Sequence, residues 1–308
     1  MITVRVPAKV NVQLGVGGLR ADGYHDLANV FFAVALGDEV TATAATPGEG
    51  VTLSCSGPDA AAVPLDDSNL AARAARLLAA HHGLAAPDVR LHIAKAIPVA
   101  GGMAGGSADG AAALVACDAL WGLRTPFETL LELAAELGSD VPFALVGGVA
   151  LGRGRGEILE PLPVGGTFHW VFAVADGGLS TPAVFRECDR LRDEAGTGST
   201  DTEVPTPDAD PALLAALADG DAVALAAALA NDLQQAALSL RPALADTLRA
   251  GTEAGAIGAL VSGSGPTCAF LAKDADSAAA VAEALRASGA CRTAHATYGP
   301  VAGAGVPA

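Results

Sequence analysis

Alternating apolar and polar residues predict several β-strands in the first third of the chain. Residues 2–14 alternate around a break at Pro7, which predicts a strand, a kink and a second strand, followed by a turn over 15–23. The same pattern predicts further strands at 24–36, 38–43, 51–55 and 89–94. Capping side chains at 66–69 precede an alanine-rich segment at 70–78, so a helix is expected to begin there.

Helical and strand patterns then alternate through the rest of the chain. Apolar residues at helical spacing predict helices at 107–121, 127–137, 211–219, 221–237, 241–254 and 275–288. Short apolar runs predict strands at 149–152, 170–175, 257–262, 267–272 and 291–297. This succession favours an α+β fold whose C-terminal half holds an antiparallel sheet with helices on one face.

Two segments show no such period. Residues 193–211 are rich in Asp, Glu, Thr, Gly and Pro, so we expect a mobile, solvated insertion there. The tail after Pro300 is expected to be frayed. A Pro- and Gly-rich passage near 155–168 predicts a boundary between two domains, and the expected domains are 1–160 and 161–308.

The charge of the chain restricts the partners it can have. A net charge of −16 and a pI near 4.6 exclude a nucleic-acid surface or an anionic membrane as the main partner. An acidic protein that binds a polyanion must do so locally, through backbone N–H groups, a helix terminus and a few lysines. Five cysteines that are far apart indicate a reducing compartment, and no signal-peptide layout or membrane-length apolar run is found. We therefore expect a cytoplasmic protein.

A glycine-rich loop between the strand at 89–94 and the helix at 107–121 is the strongest candidate binding element. Residues 98–110 contain five glycines, which expose several N–H groups in one concavity at the start of a helix. Such a concavity suits phosphate. The loop has no lysine, so it is not a P-loop, and its glycines do not fit Gly-x-Gly-x-x-Gly. The alternative is a flexible turn, but a plain connection needs far fewer glycines.

Three stretches in order and at matching intervals resemble the motifs of the GHMP kinases. The stretch at 98–112 resembles the second motif, Pro7-Ala8-Lys9-Val10-Asn11 resembles the first, and the third is similar to 261–267, which reads Val-Ser-Gly-Ser-Gly-Pro-Thr. The resemblance implies the two-domain GHMP kinase fold. In that fold an N-terminal nucleotide domain, like the second domain of ribosomal protein S5, precedes a C-terminal ferredoxin-like α/β sandwich. It also implies ATP and Mg²⁺ as cofactors.

The same resemblance supplies the expected nucleotide contacts. The ATP-binding residues that it implies are Pro98, Val99, Ala100, Gly101, Gly102, Met103, Ala104, Gly105, Gly106, Ser107 and Ala108, together with Asn69 and Lys95. For the metal, the resemblance offers only Ser107, which is the candidate for a Mg²⁺ contact. Alanine at positions 100, 104 and 108 and aspartate at 109 depart from the residues common in the family.

Lys9 and Asp140 are the expected catalytic pair. By themselves, Lys9 would be read as a solvated strand residue, and Asp140 as a cap of the turn that follows it. The stretch Gly-Ser-Asp-Val-Pro at 138–142, however, resembles the stretch that carries the catalytic base in one branch of the family. Phosphoryl transfer to an alcohol needs a proton acceptor, which Asp140 would provide, and a nearby ammonium would favour the alkoxide.

The acceptor is indicated by a second signature. One branch of the family has a signature that resembles the stretch Arg20-Ala21-Asp22-Gly23-Tyr24-His25. The acceptor of that branch is a sugar alcohol that carries a cytidine diphosphate group and belongs to the non-mevalonate route to isoprenoids. The substrate-binding residues implied are Asn11, Tyr24, His25, Thr181 and Phe185. Tyr24 and Phe185 would sandwich the base, and His25 would hydrogen-bond its edge.

Two alternatives stay open at this point. Another small-molecule kinase of the family, such as a homoserine kinase, is one, and a catalytically silent nucleotide-binding protein on the same fold is the other. The expected partner is a small-molecule cytidyl diphosphate substrate, with no nucleic acid and no membrane. The chain is expected to be a monomer or a weak homodimer.

Overall fold

Two β-sheets with helices packed around them organise the chain in the computed structural model, which describes residues 1–85, 87–99 and 101–307. The strands are β1 Ile2–Leu19, β2 His25–Ala44, β3 Val51–Ser56, β4 Val89–Ala94, β5 Val149–Arg153, β6 Ile158–Pro161, β7 Phe168–Val174, β8 Ala230–Asn231, β9 Gly258–Val261, β10 Cys268–Ala272 and β11 Thr293–Gly299. The helices are α1 Leu70–His81, α2 Gly105–Trp121, α3 Phe127–Leu137, α4 Val141–Val146, α5 Thr181–Glu194, α6 Pro211–Asp219, α7 Ala222–Ala228, α8 Gln234–Leu240, α9 Ala243–Glu253 and α10 Ala275–Ser288, with a short 3₁₀ helix at Ala60–Ala62.

The first sheet has the order β3-β4-β2-β1-β8, and β5 and β6 extend it from β2. Its centre is a long antiparallel hairpin of β1 and β2, with register shifts after Pro7 and after Asn11. Alternate residues of β1, including Val4 and Val10, are fully buried in the main core, where α2 contributes its alanines. The expected kink at Pro7 is therefore a bulge within one continuous strand.

The turn predicted over 15–23 is shorter than expected, because β1 continues to Leu19 and only residues 20–24 connect it to β2 at His25. The glycines in this stretch allow close approach of another segment. A Cβ at Gly18 would lie 2.1 Å from the backbone oxygen of Thr200, and one at Gly15 would lie 2.9 Å from Pro207. Glycine inside a strand therefore marks a packing contact here.

The residues expected to form a solvated insertion lie along β1. Leu19 N donates to Ser199 O at 2.7 Å, and Asp201 N donates to Leu19 O at 3.1 Å. The Gln13 side chain donates to the Asp208 carbonyl at 2.8 Å. Most residues of the segment are exposed, but these hydrogen bonds attach it to the first sheet, so it is not a detached insertion.

The second sheet is antiparallel, as predicted, with the order β11-β7-β10-β9. Residues of its central strands alternate between two cores. Phe172 and Leu271 belong to the main core with residues of α6 and α7, whereas Val171 and Phe270 belong to a second core with residues of α9 and α10. Both faces are buried, so the expectation of helices on one face only is wrong. We propose that the domain boundary lies between β6 and β7.

Two C-terminal predictions are also corrected. The helix predicted at 221–237 is divided by β8, which pairs with β1 at Leu14. The Asn231 side chain stabilises this break by donating to the carbonyls of Val261 and Gly263 at 2.7 and 2.8 Å.

The tail after Pro300 is not frayed in its described residues. Arg5 N donates to Gly305 O at 2.9 Å and Ala304 N donates to Ala144 O at 2.8 Å, so the tail packs against β1 and α4. In the described residues, no helix is both long and apolar enough to cross a bilayer.

Candidate active site

A cavity of about 1220 Å³ opens beside the glycine loop and collects most of the residues predicted to form the site. Those that line it are Lys9, Asn11, Tyr24, His25, Asn69, Lys95, Pro98, Val99, Gly101, Gly102, Ala104, Gly105, Gly106, Asp140, Thr181 and Phe185. Pockets for a single small ligand usually span about 300 to 1,000 Å³. The cavity is therefore large enough for two ligands side by side.

The three sequence motifs meet at one backbone atom, the carbonyl oxygen of Gly102. It accepts hydrogen bonds from Lys9 Nζ at 3.1 Å and from Ser262 Oγ at 3.2 Å. Gly102 has φ of 75°, and a Cβ there would lie 2.3 Å from the Ser262 carbonyl. A side chain would therefore push the glycine loop away from the third motif.

Lys9 is held at the centre of this arrangement. The residue is 7% exposed, and its Nζ donates to Asn11 Oδ1 at 2.7 Å. Asn11 is fixed in turn, because its amide donates to Asn29 Oδ1 at 2.6 Å. Burial lowers the pKa of Lys9 below its ordinary value, and the charge of Asp140 opposes that shift.

Asp140 precedes α4 and faces Lys9, with Oδ2 3.9 Å from Nζ. Although it occupies the N-cap position of α4, its side chain makes no capping hydrogen bond. About a third of the side chain is exposed. The carboxylate is therefore available to a ligand in the cavity, beside the Lys9 ammonium.

The glycine loop leads into the N-terminus of α2. Ala104 precedes the helix in a left-handed conformation with φ of 59°, and no side chain caps the helix. The first N–H groups of a helix have no partner within it, and the helix dipole adds about half a positive charge at this end. Gly105 and Gly106 line the cavity, so this end can bind an anion in it.

Several residues predicted to bind ATP lie outside the cavity or already have hydrogen-bond partners. Met103 and Ala108 are each 1% exposed and belong to the main core. Ser107 lies in the first turn of α2, half-buried, and does not line the cavity. Asn69 lines the cavity, but its side chain caps α1 at Ala71 N and donates to Pro64 O. Ala100 lies outside the described residues.

Lys95 lines the cavity, and its ammonium already has two carboxylate partners. Its ammonium donates to Asp38 and, at 3.0 Å, to Asp109, and all three side chains are buried. Asp38 also accepts from the backbone N–H groups of Ala96 and Ile97. Burial alone would lower the pKa of Lys95, but the charges of Asp109 and Asp38 raise it. The lysine thus anchors the start of the glycine loop.

We expect the wild type to lose stability between acidic and neutral pH because of Asp109, and we expect Asp109→Asn to remove this loss. Burial raises the pKa of Asp109 from 3.8 to about 7. The folded protein then holds this proton more tightly than the unfolded chain, so the free energy of unfolding falls as pH rises from about 4 to 7, by at most about 1.4 kcal/mol per unit. Asparagine cannot titrate. The free energy of unfolding of Asp109→Asn, relative to that of the wild type, is therefore expected to be higher at pH 8 than at pH 5.5.

Urea unfolding at the two pH values measures this effect. The matched control is Asp67→Asn, at a carboxylate whose side chain is 89% exposed, and it is expected to change stability equally at both. The prediction would be contradicted if the difference in the free energy of unfolding between Asp109→Asn and the wild type were the same at both pH values.

Besides Asn11, four residues predicted to bind the acceptor line the cavity: Tyr24, His25, Thr181 and Phe185. Tyr24 is half-exposed, and the Arg155 guanidinium lies 5.3 Å from its ring. The Phe185 ring lies 5.0 Å from the His25 ring. Thr181 Oγ1 lies 2.9 Å from Ser264 Oγ of the third motif. Asp189, which sequence reasoning missed, contacts His25 from one turn beyond Phe185 on α5.

Comparison with known proteins is consistent with this geometry. The descriptions "GHMP kinases N terminal domain" and "GHMP kinases C terminal" match residues 69–148 and 213–291. A protein of Streptomyces avermitilis named 4-diphosphocytidyl-2-C-methyl-D-erythritol kinase is 68% identical over 99% of both chains. The chain belongs to the GHMP kinase family. The resemblance and the α+β fold read from the sequence are therefore confirmed, and GHMP kinases take ATP as phosphoryl donor.

Further relatives extend the comparison. A protein of Thermobifida fusca with the same name as the Streptomyces protein is 64% identical over 99% of this chain and 98% of its own. The crystal structure of a 4-(cytidine 5'-diphospho)-2C-methyl-D-erythritol kinase superposes with a TM-score of 0.77 at 35% identity, covering 96% of this chain and 99% of the other. A homoserine kinase from Cytophaga hutchinsonii has a TM-score of 0.72 at 21% identity, covering 99% and 97%, which shows the shared fold.

Proposed function

We propose that this chain transfers the γ-phosphoryl group of ATP to the 2-hydroxyl of 4-diphosphocytidyl-2-C-methyl-D-erythritol, giving the 2-phosphate and ADP, in the non-mevalonate route to isoprenoid precursors. Full-length relatives with this name at 68% and 64% identity support the acceptor. The observation that carries the proposal is the placement of Lys9 and Asp140 3.9 Å apart beside the glycine loop.

The chemistry divides between these two side chains. The acceptor oxygen forms a bond to the γ-phosphorus while the bond from that phosphorus to the bridging oxygen of ADP breaks. Asp140 accepts the hydroxyl proton as the new bond forms. Lys9 stabilises the negative charge that develops on the acceptor oxygen, and its own position is fixed by Asn11 and the Gly102 carbonyl.

The phosphates of ATP are bound chiefly by the main chain in this proposal. The N–H groups of Gly105 and Gly106 and the dipole of α2 supply local positive potential in a protein of net charge −16. Lys95 contributes indirectly, because its ammonium is already held by Asp38 and Asp109. Its proposed role is to fix the strand that leads into the glycine loop.

A magnesium ion that enters with ATP is part of the proposal. Among the described residues, no three His, Cys, Asp or Glu side chains gather as a metal cage. Mg²⁺ usually keeps several waters and takes few protein ligands besides substrate phosphates. A cavity without a cage of protein ligands is therefore compatible with Mg²⁺ bound to ATP. Ser107, the side chain expected to contact the ion, does not line the cavity, so the oxygens of the nucleotide and water would supply most of the ligands of the ion. When bound, the ion neutralises charge on the transferring phosphoryl group.

The acceptor's base is proposed to bind between Tyr24 and Phe185. We expect Tyr24→Ala to raise the KM for the cytidyl acceptor by about 10- to 100-fold, since stacking on one base is worth about 1 to 3 kcal/mol. The KM for ATP is expected to stay within about twofold, because Tyr24 lies on the acceptor side of the cavity. Steady-state kinetics with each substrate varied in turn measure both constants, and Tyr24→Phe is the control. Equal increases in both constants would contradict the base clamp.

A phosphate-transfer assay with labelled ATP and a panel of acceptors tests the proposed function. The cytidyl acceptor is expected to be phosphorylated, whereas homoserine and mevalonate are not. Preference for homoserine would favour a different kinase of the family, and transfer to no acceptor would favour a silent nucleotide-binding protein. We further propose that the chain works in the cytoplasm, as a monomer or weak homodimer. Its five free cysteines suit a reducing compartment.

A further inference from the structure

Two side chains of α5 hold the imidazole of His25 in one orientation. Phe185 places its ring 5.0 Å from the imidazole, at an angle of 33°. Asp189 lies four residues further along the helix, on the same face, and its two carboxylate oxygens are 3.0 and 3.2 Å from His25 Nε2. His25 is 8% exposed. One helix face therefore fixes both the plane of the ring and the direction of one nitrogen.

The carboxylate also decides where the imidazole carries its proton. An ionised carboxylate can only accept hydrogen bonds, so the contact requires a proton on Nε2. In the neutral ring the other nitrogen, Nδ1, then presents a lone pair. Nδ1 has no hydrogen-bond partner among the residues that the structure describes, and His25 and Asp189 both line the cavity. Nδ1 is thus the imidazole nitrogen left for a ligand, and it is an acceptor.

We propose that Asp189 is a positioning residue that sets base specificity by holding His25 as a hydrogen-bond acceptor. This rests on the proposed function. The exocyclic amine of cytosine can donate to Nδ1, whereas uracil has a carbonyl oxygen at the same place, which would face a second acceptor. A site built for a hydrogen bond rejects a ligand that leaves its polar group unpaired. The pairing with Asp189 thereby favours cytidine over uridine acceptors.

Kinetics with paired acceptors test this inference. The substrates are the cytidyl acceptor and its uridine analogue, and the measure is the ratio of their kcat/KM values. In the wild type we expect a ratio of at least about 100. Asp189→Ala is expected to lower the ratio by about tenfold or more, through the KM for the cytidyl acceptor, with the KM for ATP unchanged. Asp189→Asn can donate its amide N–H to Nε2 and move the ring proton to Nδ1. The kcat/KM for the uridine analogue is therefore expected to rise.

The controls separate specificity from folding. Asp193→Ala removes a carboxylate one turn further along α5 that does not line the cavity, and Asp189→Glu keeps the acceptor; both are expected to retain the wild-type ratio. Nitrogen NMR of the histidine rings, assigned with His25→Gln, is expected to show the proton of the neutral His25 ring on Nε2.

The possible failures are distinguishable. A wild type that phosphorylates neither acceptor overturns the proposed function and this inference together. An enzyme that is active on the cytidyl acceptor, but whose Asp189→Ala variant keeps the wild-type base ratio or loses both activities equally, overturns the inference alone. A ring proton on Nδ1 in the wild type also overturns it.

Discussion

Asp140→Asn is expected to lower kcat by about 10³-fold, within the range of about 10² to 10⁴ that a positioned proton acceptor contributes. The amide keeps the size of the side chain but cannot take up the hydroxyl proton. The KM for ATP is expected to stay within about twofold, because the phosphates are proposed to bind at the glycine loop and the start of α2. Single-turnover measurement of phosphate transfer isolates the chemical step from product release.

The control for this variant is Glu136→Gln, another carboxylate that lines the cavity but is exposed and makes no ion pair with Lys9 in the described residues. It is expected to keep nearly full turnover. If Asp140→Asn also turned over at close to the wild-type rate, Asp140 would have to be removed from the mechanism.

Lys9→Met is expected to lower kcat by about 10²- to 10³-fold, since removing one preorganised donor from the site of developing charge costs about that factor. Methionine fills much of the same volume, but it leaves Asn11 Oδ1 and the Gly102 carbonyl without their shared donor. ATP affinity, measured by calorimetric titration, is expected to change little. The outcome that would sink the assignment is a variant with normal kcat.

The chain contains three lysines, so a matched control is available. Lys273→Met changes an exposed lysine outside the cavity and is expected to leave kcat unaltered. The pH profile adds a second readout. Because burial lowers the pKa of Lys9, wild-type kcat is expected to fall on the alkaline side at a lower pH than an ordinary lysine would cause. That fall should be missing from the residual activity of Lys9→Met.

Local elements were largely predictable from the sequence. The bounds of α3, α6 and α10 agree with those read from helical spacing and capping residues, because a helix depends on residues a few positions apart. The predictions that were wrong concern segments whose conformation depends on distant partners. The break at β8 comes from pairing with β1, and the packed tail comes from hydrogen bonds to Arg5 and Ala144.

The candidate site shows the same division. Motif resemblance named Lys9, Asp140 and the glycine loop, and the structure brings them to one cavity. Motif resemblance did not name Asp38 or Asp189, because their partners, Lys95 and His25, lie 57 and 164 residues away. Nothing in the local sequence distinguishes such an aspartate from a solvated one.

The sequence by itself determined the family, most of the strands and helices, and the residue types available for phosphoryl transfer, since these follow from motifs and from near neighbours along the chain. Only the tertiary structure decided which polar groups face one another. The Gly102 carbonyl joins Lys9 and Ser262, which are 253 positions apart (262 − 9), and Lys95 turns toward two buried carboxylates. Hydrogen bonds and charges act over a few ångströms, so their partners are fixed only when the sheets and helices pack.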